Sequence, residues 1–430
     1  MTRPFITLFF LSIFSTVYAQ SYTSYFTGST TDKITSPSGG ICMMGGRTES
    51  DDAMRWFLER ANGGDILVIR ASGSDGYNDY FFSELGVTIN SVESIVFDDR
   101  SASFEPEIAE KIMQAEAIWI AGGDQFNYVQ FWRNSPVDSL INLGIQERNI
   151  VIGGTSAGMA ILGGLYYSAA EGSVTSAEAL TNPYDSFVTV DTTSFLKAPQ
   201  LATIITDTHY EERKREGRHI TFLARALVDY GIEAQGIACD DFTAVCIEPN
   251  GTARAFGGFP EFDDNVFFLQ ITCPDFDGTH FPERCEPNQT LEWNREQQAI
   301  KVYNLKGTPT GEQTFDLNSF QAGNGGVWED WWVENGVLNR RAGEPIGCAN
   351  LSTDPVVAAA IRLSPNPVAE VLFIKSELII QQIELFDASG KRLPIVFNDN
   401  EIDIADLPSG IYHLSIETKE GRAWKEFVKQ

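Results

Sequence analysis

Between residues 40 and 166 the chain alternates short, continuously apolar runs with amphipathic segments, and this alternation limits the fold more than any other feature. The runs ICMMGG, DILVIRAS, SVESIVFDD, AIWIAGG and NIVIGG have no strict polar alternation, which is typical of strands buried on both faces. Residues 51–62 and 106–115 are the clearest helical segments between them. Repeated strand–helix units predict an α/β fold with a doubly wound, mostly parallel sheet, whose ligand site lies at the carboxyl ends of the strands.

The stretch IVIGGTSAG, residues 150–158, places Ser156 between two glycines directly after one of these runs. G-x-S-x-G is the pattern of a nucleophile elbow, a sharp strand-to-helix turn in which larger flanking side chains would clash. The helix-forming MAILGGLYY that follows fits this context, and the N–H of Ala157, first in that helix, is a candidate oxyanion donor. The alternative is a tight glycine-rich turn with a solvent-facing serine.

A nucleophilic serine needs a base, and the chain has four histidines. His413 belongs to the C-terminal segment, His280 to a Pro-, Asp- and Gly-rich loop, and His219 begins an apolar helical pattern that favours a packing role. His209 ends the apolar run LATIITDTH, whose tip points towards the site, and is therefore the predicted base.

The carboxylate that should orient the imidazole is less defined. Asp240 and Asp241 end the apolar strand GIACDD and are favoured by that placement, and Glu171 is a further candidate. Asp207 is too close in sequence to His209 to orient it easily. Composition alone does not choose among them.

Three arginines, Arg213, Arg215 and Arg218, follow His209 in HYEERKREGR. On a helix, Arg215 and Arg218 share a face and Arg213 lies off it. Guanidinium groups bind carboxylates bidentately, so the series is a candidate substrate site. Because glutamates are interleaved, a solvated helix with Glu–Arg pairs is the alternative, and the series by itself favours that alternative.

Charge and the N-terminus limit the partners and the location. The chain has 59 Asp and Glu against 31 Lys and Arg, a net charge of −28, which argues against nucleic acid or an anionic membrane as partner. Residues 1–19 combine Arg3, an apolar run and a small-residue site before Gln20, which predicts a secretory signal peptide. No later run reaches the ~20 apolar residues of a spanning helix, so we expect an exported protein without a transmembrane span.

The six cysteines are unevenly placed. Cys273 and Cys285 flank the loop PDFDGTHFPER and are the candidates for a disulfide, whereas the others in apolar runs (Cys42, Cys239 and Cys246) are predicted core residues. No cluster of cysteines and histidines has ligand-like spacing, so neither a metal nor another cofactor is expected.

The last seventy residues differ in character from the rest. Short alternating strands separated by Asn-Pro, Ser-Gly and Glu-Gly turns predict a small all-β sandwich without a catalytic set, and hence an attachment or transport module. The predicted organisation is a signal peptide (1–19), a main domain (20–345) whose β-like end (258–345) is its far edge or an appended layer, a linker (346–358) and the C-terminal module (359–430).

Four motifs occur in one order: the apolar run into GGDQ (122–125), the GTSAG elbow, D-x-H followed by the three arginines, and GIACDDFTA. Together they resemble the cyanophycinase and aspartyl dipeptidase family of serine peptidases, over about residues 40–257 and onward to about 341. The resemblance implies a sheet related to that of the class I glutamine amidotransferases, a Ser-His-acid triad, and cleavage next to aspartyl residues.

Carried over by position, the resemblance implies that Ser156 is the nucleophile and His209 the general base. Asp241 is the third member, where the family usually has glutamate, and Thr208 stands where glutamine is usual. The oxyanion is expected on N–H groups of Gly123 and Ala157. The implied substrate-pocket positions, which reverse the preference for a solvated arginine helix, are Gln125, Asp207, Arg213, Arg215 and Arg218.

The expected activity is that of a secreted serine exopeptidase hydrolysing cyanophycin, a polyaspartate with arginine on each β-carboxylate, or related aspartyl peptides. The alternatives are a dipeptidase or isopeptidase on small α- or β-aspartyl peptides, and an inactive surface protein that binds such a polymer.

The stretches LSPNPV, IELFDASGKRL, LPSGIYHLSI and RAWKEFVKQ resemble the sorting domain of the type IX secretion system of Bacteroidetes. This implies passage through the periplasm, with the secretion machinery as a partner; the oligomeric state is not predicted.

Overall fold

A computed structural model describes residues 20–272 and 280–345 and, towards the C-terminus, residues 357, 360–376, 378–387, 392–395, 397–398, 400–405, 407–419 and 421–430. The predicted signal peptide lies outside the described residues. So do most of the predicted linker and Cys273, with the disulfide predicted for it.

The α-helices of the described residues are α1 Asp51–Glu59, α2 Pro106–Gln114, α3 Gln125–Trp132, α4 Pro136–Glu147, α5 Ala157–Ala160, α6 Ser176–Thr181 and α7 Glu216–Tyr230. The strands are β1 Tyr22–Gly28, β2 Ile41–Met44, β3 Asp65–Arg70, β4 Ser91–Phe97, β5 Ala117–Ile120, β6 Val151–Thr155, β7 Tyr166–Tyr167, β8 Val190–Asp191, β9 Ile204–Asp207, β10 Gln235–Cys239, β11 Ala244–Ile247, β12 Thr252–Phe256, β13 Asn265–Ile271, β14 Ile300–Lys306, β15 Thr314–Asp316, β16 Gly323–Asn324, β17 Val327–Glu334, β18 Val337–Ala342, β19 Ile361–Ser364, β20 Val371–Ser376, β21 Ile380–Asp387, β22 Arg392–Leu393, β23 Phe397–Asn398, β24 Glu401–Asp403, β25 Gly410–Thr418 and β26 Gly421–Lys429.

The five apolar runs of the sequence form the parallel centre of a ten-stranded sheet. Its order is β1-β4-β3-β5-β6-β2-β11-β12-β15-β16, and the pairs β4–β3, β3–β5, β5–β6 and β6–β2 are parallel. The remaining neighbours, beginning with β1–β4 and β2–β11, pair antiparallel. The sheet is therefore mixed, with the predicted parallel strands at its centre.

Helices cover both faces of this centre, as continuous apolar strands require. Helix α1 buries Met54 and Phe57 in a cluster that includes Cys42 and Trp119. Helices α2 and α4 lie against another cluster, which includes Ile118 and Ile152 from the alternate positions of neighbouring strands. The result is an α/β fold whose central strands are buried on two sides.

A second sheet, not separated in the sequence prediction, contains the strands that precede His209 and Asp241. Its order is β18-β17-β14-β13-β10-β9, with β9 and β10 parallel and the other pairs antiparallel. Four of its strands come from the predicted β-rich extension, while β15 and β16 of that extension join the ten-stranded sheet. The extension therefore supplies the outer strands at one end of each sheet.

The C-terminal segment forms two four-stranded antiparallel sheets, β19-β20-β24-β23 and β22-β21-β25-β26. Its apolar residues, among them Leu372, Leu414 and Phe427, form a cluster of their own. This agrees with the β-rich module expected from the alternating pattern.

Candidate active site

Ser156 lies in the turn between β6 and α5, and the backbone there has the sharp bend of an elbow. Its φ of 51° and ψ of −112° are rare for a residue with a side chain, and such outliers concentrate at functional sites. A Cβ at Gly158 would lie 2.0 Å from the carbonyl oxygen of Ile120, and one at Gly154 would lie 2.7 Å from the Gly158 backbone. The two glycines are therefore needed because the elbow packs directly on strand β5.

His209 follows β9 of the second sheet and meets the serine across the junction between the sheets. Ser156 Oγ and His209 Nε2 are 2.9 Å apart. The histidine also has a positive φ, 47°, and its N–H donates to the carbonyl oxygen of Gly45 at 2.9 Å. The imidazole is thus fixed with one nitrogen at the hydroxyl.

The other ring nitrogen, Nδ1, makes a short contact with Asp241 Oδ1, and both side chains are buried. Asp240, the adjacent alternative, accepts instead from the backbone N–H of Glu211 at 3.0 Å, and burial raises its pKa to about 8. Glu171 is exposed after β7. Of the three candidate acids, the structure brings Asp241 to the imidazole.

The pKa of His209 lies below its usual value. Burial is the largest cause, and the nearby guanidinium groups of Arg213 and Arg215 add to it, while the hydrogen bond to Asp241 acts in the opposite direction. A lowered pKa keeps the imidazole neutral near neutral pH, the state in which Nε2 accepts a proton from a serine hydroxyl.

A pocket of about 300 Å³ opens beside Ser156. Its lining includes the two expected oxyanion donors, Gly123 and Ala157, and every substrate-pocket position that the resemblance implied: Gln125, Asp207, Arg213, Arg215 and Arg218. These residues come from the carboxyl ends of β5, β6 and β9 and from the segment after β9. The predicted location of the site at the carboxyl ends of parallel strands therefore agrees with the geometry, although the strands belong to two sheets.

Asp207 and Arg218 form a buried, bidentate ion pair in the lining of this pocket. Arg218 donates from Nε and Nη2 to the two carboxylate oxygens, at 2.8 and 2.5 Å. Burial alone would raise the pKa of Asp207, but the Arg218 guanidinium outweighs it and the pKa is lowered. The carboxylate is ionised and holds the guanidinium in one orientation.

The other two arginines differ from the predicted helical pair. Residues 209–215 form turns, with Lys214 at φ 50°, so Arg215 only caps α7 and the expected shared helix face does not exist. Arg215 donates to Thr208 O at 2.8 Å and to Thr208 Oγ1 at 3.0 Å. Arg213 is exposed and makes no side-chain hydrogen bond within the described part of the chain. It is the pocket guanidinium most available to a ligand.

The alternative of a solvated helix with Glu–Arg pairs does not describe this segment. Glu211 lies near Arg340 of β18, with Nη1 and Oε1 3.4 Å apart, and Glu212 accepts from the backbone N–H of Asp241 at 3.1 Å. Both glutamates therefore contact other parts of the fold. Gln125, at the start of α3, donates to Tyr167 O at 3.3 Å.

Sequence reasoning missed the turn after β2, Gly45-Gly46-Arg47. Gly46 lies against the His209 ring, and Arg47 Nε donates to Asp241 Oδ2 at 3.0 Å. The glycine pair after an apolar run was a visible signal, of the same kind as the one before Ser156. The partner of Arg47 lies 194 residues away, so local sequence gave no sign of it.

His219 is fully buried, with Nε2 3.2 Å from Ile205 O and Nδ1 3.2 Å from Tyr210 Oη, which confirms its packing role. Cys42, Cys239 and Cys246 are buried core residues, as expected. No described helix is long and apolar enough to cross a membrane.

Comparison with known proteins identifies two regions of the chain. Residues 72–254 match the model described as Peptidase family S51, and residues 362–430 match the Secretion system C-terminal sorting domain. The first range contains Ser156, His209 and Asp241. These matches confirm both resemblances drawn from the motifs, and the chain is a serine-type peptidase that carries a secretion sorting domain.

More particularly, it is similar to proteins named Cyanophycinase. It is 24% identical to Cyanophycinase of Synechococcus elongatus over 239 residues, which is 53% of this chain and 68% of the relative. It is 26% identical to Cyanophycinase of Trichormus variabilis over 176 residues, 41% of this chain and 53% of that protein. A solved peptidase from an acI-B1 Actinobacterium aligns at 15% identity and a TM-score of 0.38, over 52% of this chain and 89% of its own.

Proposed function

We propose that the protein is a secreted exopeptidase that hydrolyses cyanophycin or related aspartyl peptides through Ser156, His209 and Asp241. The observation that carries this proposal is the continuous contact from Ser156 Oγ to His209 Nε2, and from His209 Nδ1 to Asp241, at the edge of a pocket rich in arginine. No other described histidine makes a hydrogen bond to a serine hydroxyl.

In the proposed reaction, Ser156 Oγ attacks the scissile carbonyl while His209 Nε2 takes the hydroxyl proton. Asp241 holds the imidazole tautomer and stabilises the imidazolium that forms. The tetrahedral oxyanion accepts hydrogen bonds from the N–H groups of Gly123 and Ala157. His209 then protonates the leaving amine, and a water activated by the same imidazole hydrolyses the acyl-enzyme.

The charge of the pocket favours an acidic substrate. Asp207 neutralises only part of the charge of three guanidinium groups, and Arg213 has no acidic partner among the described residues. A carboxylate of an aspartyl peptide would supply the missing negative charge. Asp124, exposed at the pocket wall, offers a complementary acceptor for the arginine of a cyanophycin unit.

The test is incubation of the purified chain with insoluble cyanophycin, followed by analysis of the soluble products. Release of β-Asp-Arg dipeptide supports the proposal. Cleavage confined to small α- or β-aspartyl peptides would replace it by the dipeptidase alternative. Binding of the polymer without any cleavage would indicate an inactive binding protein.

Further proposals concern the fold of the main domain and the export of the chain. We propose that the main domain belongs with the doubly wound folds of the class I glutamine amidotransferases. We also propose that residues 1–19 direct the chain to the periplasm and that residues 359–430 then engage the type IX machinery. The match of residues 362–430 to a sorting domain supports the second step.

A further inference from the structure

One turn of the fold, together with the strand residue before it, touches all three members of the triad. It joins β2 to α1 and consists of Gly45, Gly46 and Arg47. The residue before it, Met44, accepts a hydrogen bond from the Ser156 N–H at 3.0 Å, and Gly45 accepts one from the His209 N–H at 2.9 Å. The turn is therefore a common support for the nucleophile and the base.

The turn also fits closely against the side chain of the base. A Cβ at Gly46 would lie 2.1 Å from His209 Cε1, and Gly46 has a φ of 137°. Its carbonyl oxygen accepts from the N–H of Phe242 at 3.0 Å, and the Gly45 N–H donates to Thr243 O at 2.9 Å. Gly45 and Gly46 thus fix the backbone on the C-terminal side of Asp241.

Arg47, the third residue of the turn, contacts the carboxylate of Asp241. Asp241 uses Oδ1 for His209, and its remaining oxygen, Oδ2, accepts from Arg47 Nε at 3.0 Å. Arg47 itself has a left-handed φ of 66°, a conformation that costs a non-glycine residue energy and here aims its side chain back over the site. The carboxylate is thereby held at both oxygens, which fixes its rotation as well as its position.

We propose that Arg47 is a positioning residue for the triad, orienting Asp241 through Oδ2 and limiting how strongly that carboxylate stabilises the protonated imidazole. This inference rests on the proposed function, because it assigns a role towards the same triad. It concerns a residue outside the range 72–254 that matches the peptidase family model.

The electrostatic part of the role has a definite sign. Removing the Arg47 charge leaves the Asp241 carboxylate more negative towards His209, so the pKa of the imidazole rises and the enzyme loses activity at a higher pH than the wild type. The charged and titratable groups that face His209 and Asp241 in the wild type are Arg47, Arg213, Arg215, Glu212 and Asp240. In an Arg47 variant the other four are unchanged, so the shift reports Arg47.

The experiment measures how fast a fluorophosphonate probe labels Ser156 in the full chain, as a function of pH. This reading needs no knowledge of the natural substrate. We expect Arg47→Met to label about 10- to 100-fold more slowly, because the imidazole is no longer held in line with the hydroxyl. Its acid limb should also move to higher pH, and the difference should shrink in 1 M salt, since the Arg47 side chain is 64% exposed.

Two further variants separate this role from a general effect on folding. Arg47→Lys retains the charge, so its acid limb should return to the wild-type position while the rate recovers only in part. Arg55→Met removes an arginine of α1 that pairs with Asp52 at 2.7 Å on the surface, and it should label at the wild-type rate. Circular dichroism and thermal unfolding identify any variant that fails to fold, and Arg47→Lys then carries the test.

The outcomes are distinct. Wild-type Ser156 that does not react with the probe would overturn the proposed function and this inference with it. A reactive wild type whose rate and pH profile are matched by folded Arg47→Met and Arg47→Lys would overturn the inference alone. Slower labelling without a shifted limb in either variant would also contradict it, because a purely structural loss predicts that result.

Discussion

Ser156 combines a strained backbone with a hydrogen-bonded hydroxyl, and its replacement is the direct test at the scale of single residues. We expect Ser156→Ala to lower the turnover of an aspartyl substrate by about 10⁴- to 10⁶-fold, since triad members act as a unit. Ser139→Ala, in the exposed face of α4, should retain activity. Near-normal turnover by Ser156→Ala, measured by dipeptide release, would rule out the mechanism.

The acid limb of activity should report His209. Because burial and two arginines lower the pKa of this imidazole, we expect kcat/KM to fall only below pH 6.5, the ordinary value for histidine. Arg213→Gln removes one of those positive charges, so the limb should move to higher pH. A neutral ester substrate keeps the binding role of Arg213 out of the measurement. A limb that moves to lower pH would contradict this assignment of charges.

The burial of His219 predicts how the stability of the fold depends on pH. Burial lowers its pKa to about 4, while the same group in the unfolded chain has the ordinary histidine pKa of 6.5. The unfolded state therefore binds more protons between these values, so stability is full above pH 6.5 and is lost as pH falls towards 4. Urea unfolding of the wild type should give about 2 kcal/mol less stability at pH 5 than at pH 7.5 from this group. His219→Gln should lack that part of the slope; an unchanged slope would contradict the assignment.

At the scale of elements, the close contact between the elbow and β5 predicts the effect of adding one methyl group. Gly158→Ala would place a Cβ 2.0 Å from Ile120 O, so we expect a loss of about 1–3 kcal/mol in unfolding free energy and slower labelling of Ser156. Gly76→Ala is the matched control, because nothing lies within 4 Å of its added Cβ. Equal stability of the two variants would show that the elbow relaxes without cost.

The elements that the sequence predicts well are those with a local signal. The five parallel strands, helices α1 and α2 and the elbow all follow from apolar periodicity and glycine placement. The six-stranded sheet does not, because its pairings join β9 and β10 to strands that come after residue 264, and antiparallel and parallel neighbours have similar apolar runs. The face shared by Arg215 and Arg218 requires a helix that includes Arg215; the chain forms turns before residue 216 instead, with a positive φ at Lys214.

For single residues, too, the sequence fails where the deciding contacts come from distant segments. His209 could be identified by elimination among four histidines, whereas Asp240 and Asp241 are adjacent and differ only in the direction of their side chains. That direction is set by the hydrogen bonds that the two carboxylates accept from other segments: Asp240 from the Glu211 N–H and Asp241 from Arg47. No pattern within GIACDD contains this information.

For the whole molecule, the separate C-terminal cluster predicts separate roles. Its described core residues lie between Val357 and Phe427, and the clusters of the catalytic region contain none of them. We expect deletion of residues 359–430 to leave Ser156 labelling and the main unfolding transition unchanged while abolishing release from the producing cell. Fractionation of cells that express both forms measures this. Loss of labelling in the shortened, folded chain would show that the module supports the site.

The division of the proposed triad between two sheets also predicts when the enzyme becomes active during its own synthesis. Ser156 and His209 are 53 residues apart and His209 and Asp241 are 32 apart, but the sheet that contains β10 is completed only by strands that end at Ala342. A chain that has emerged only as far as Asp241 has all three reactive residues and lacks four strands of the sheet that aligns two of them. Nascent and prematurely truncated copies are therefore expected to be inert, a form of latency provided by topology.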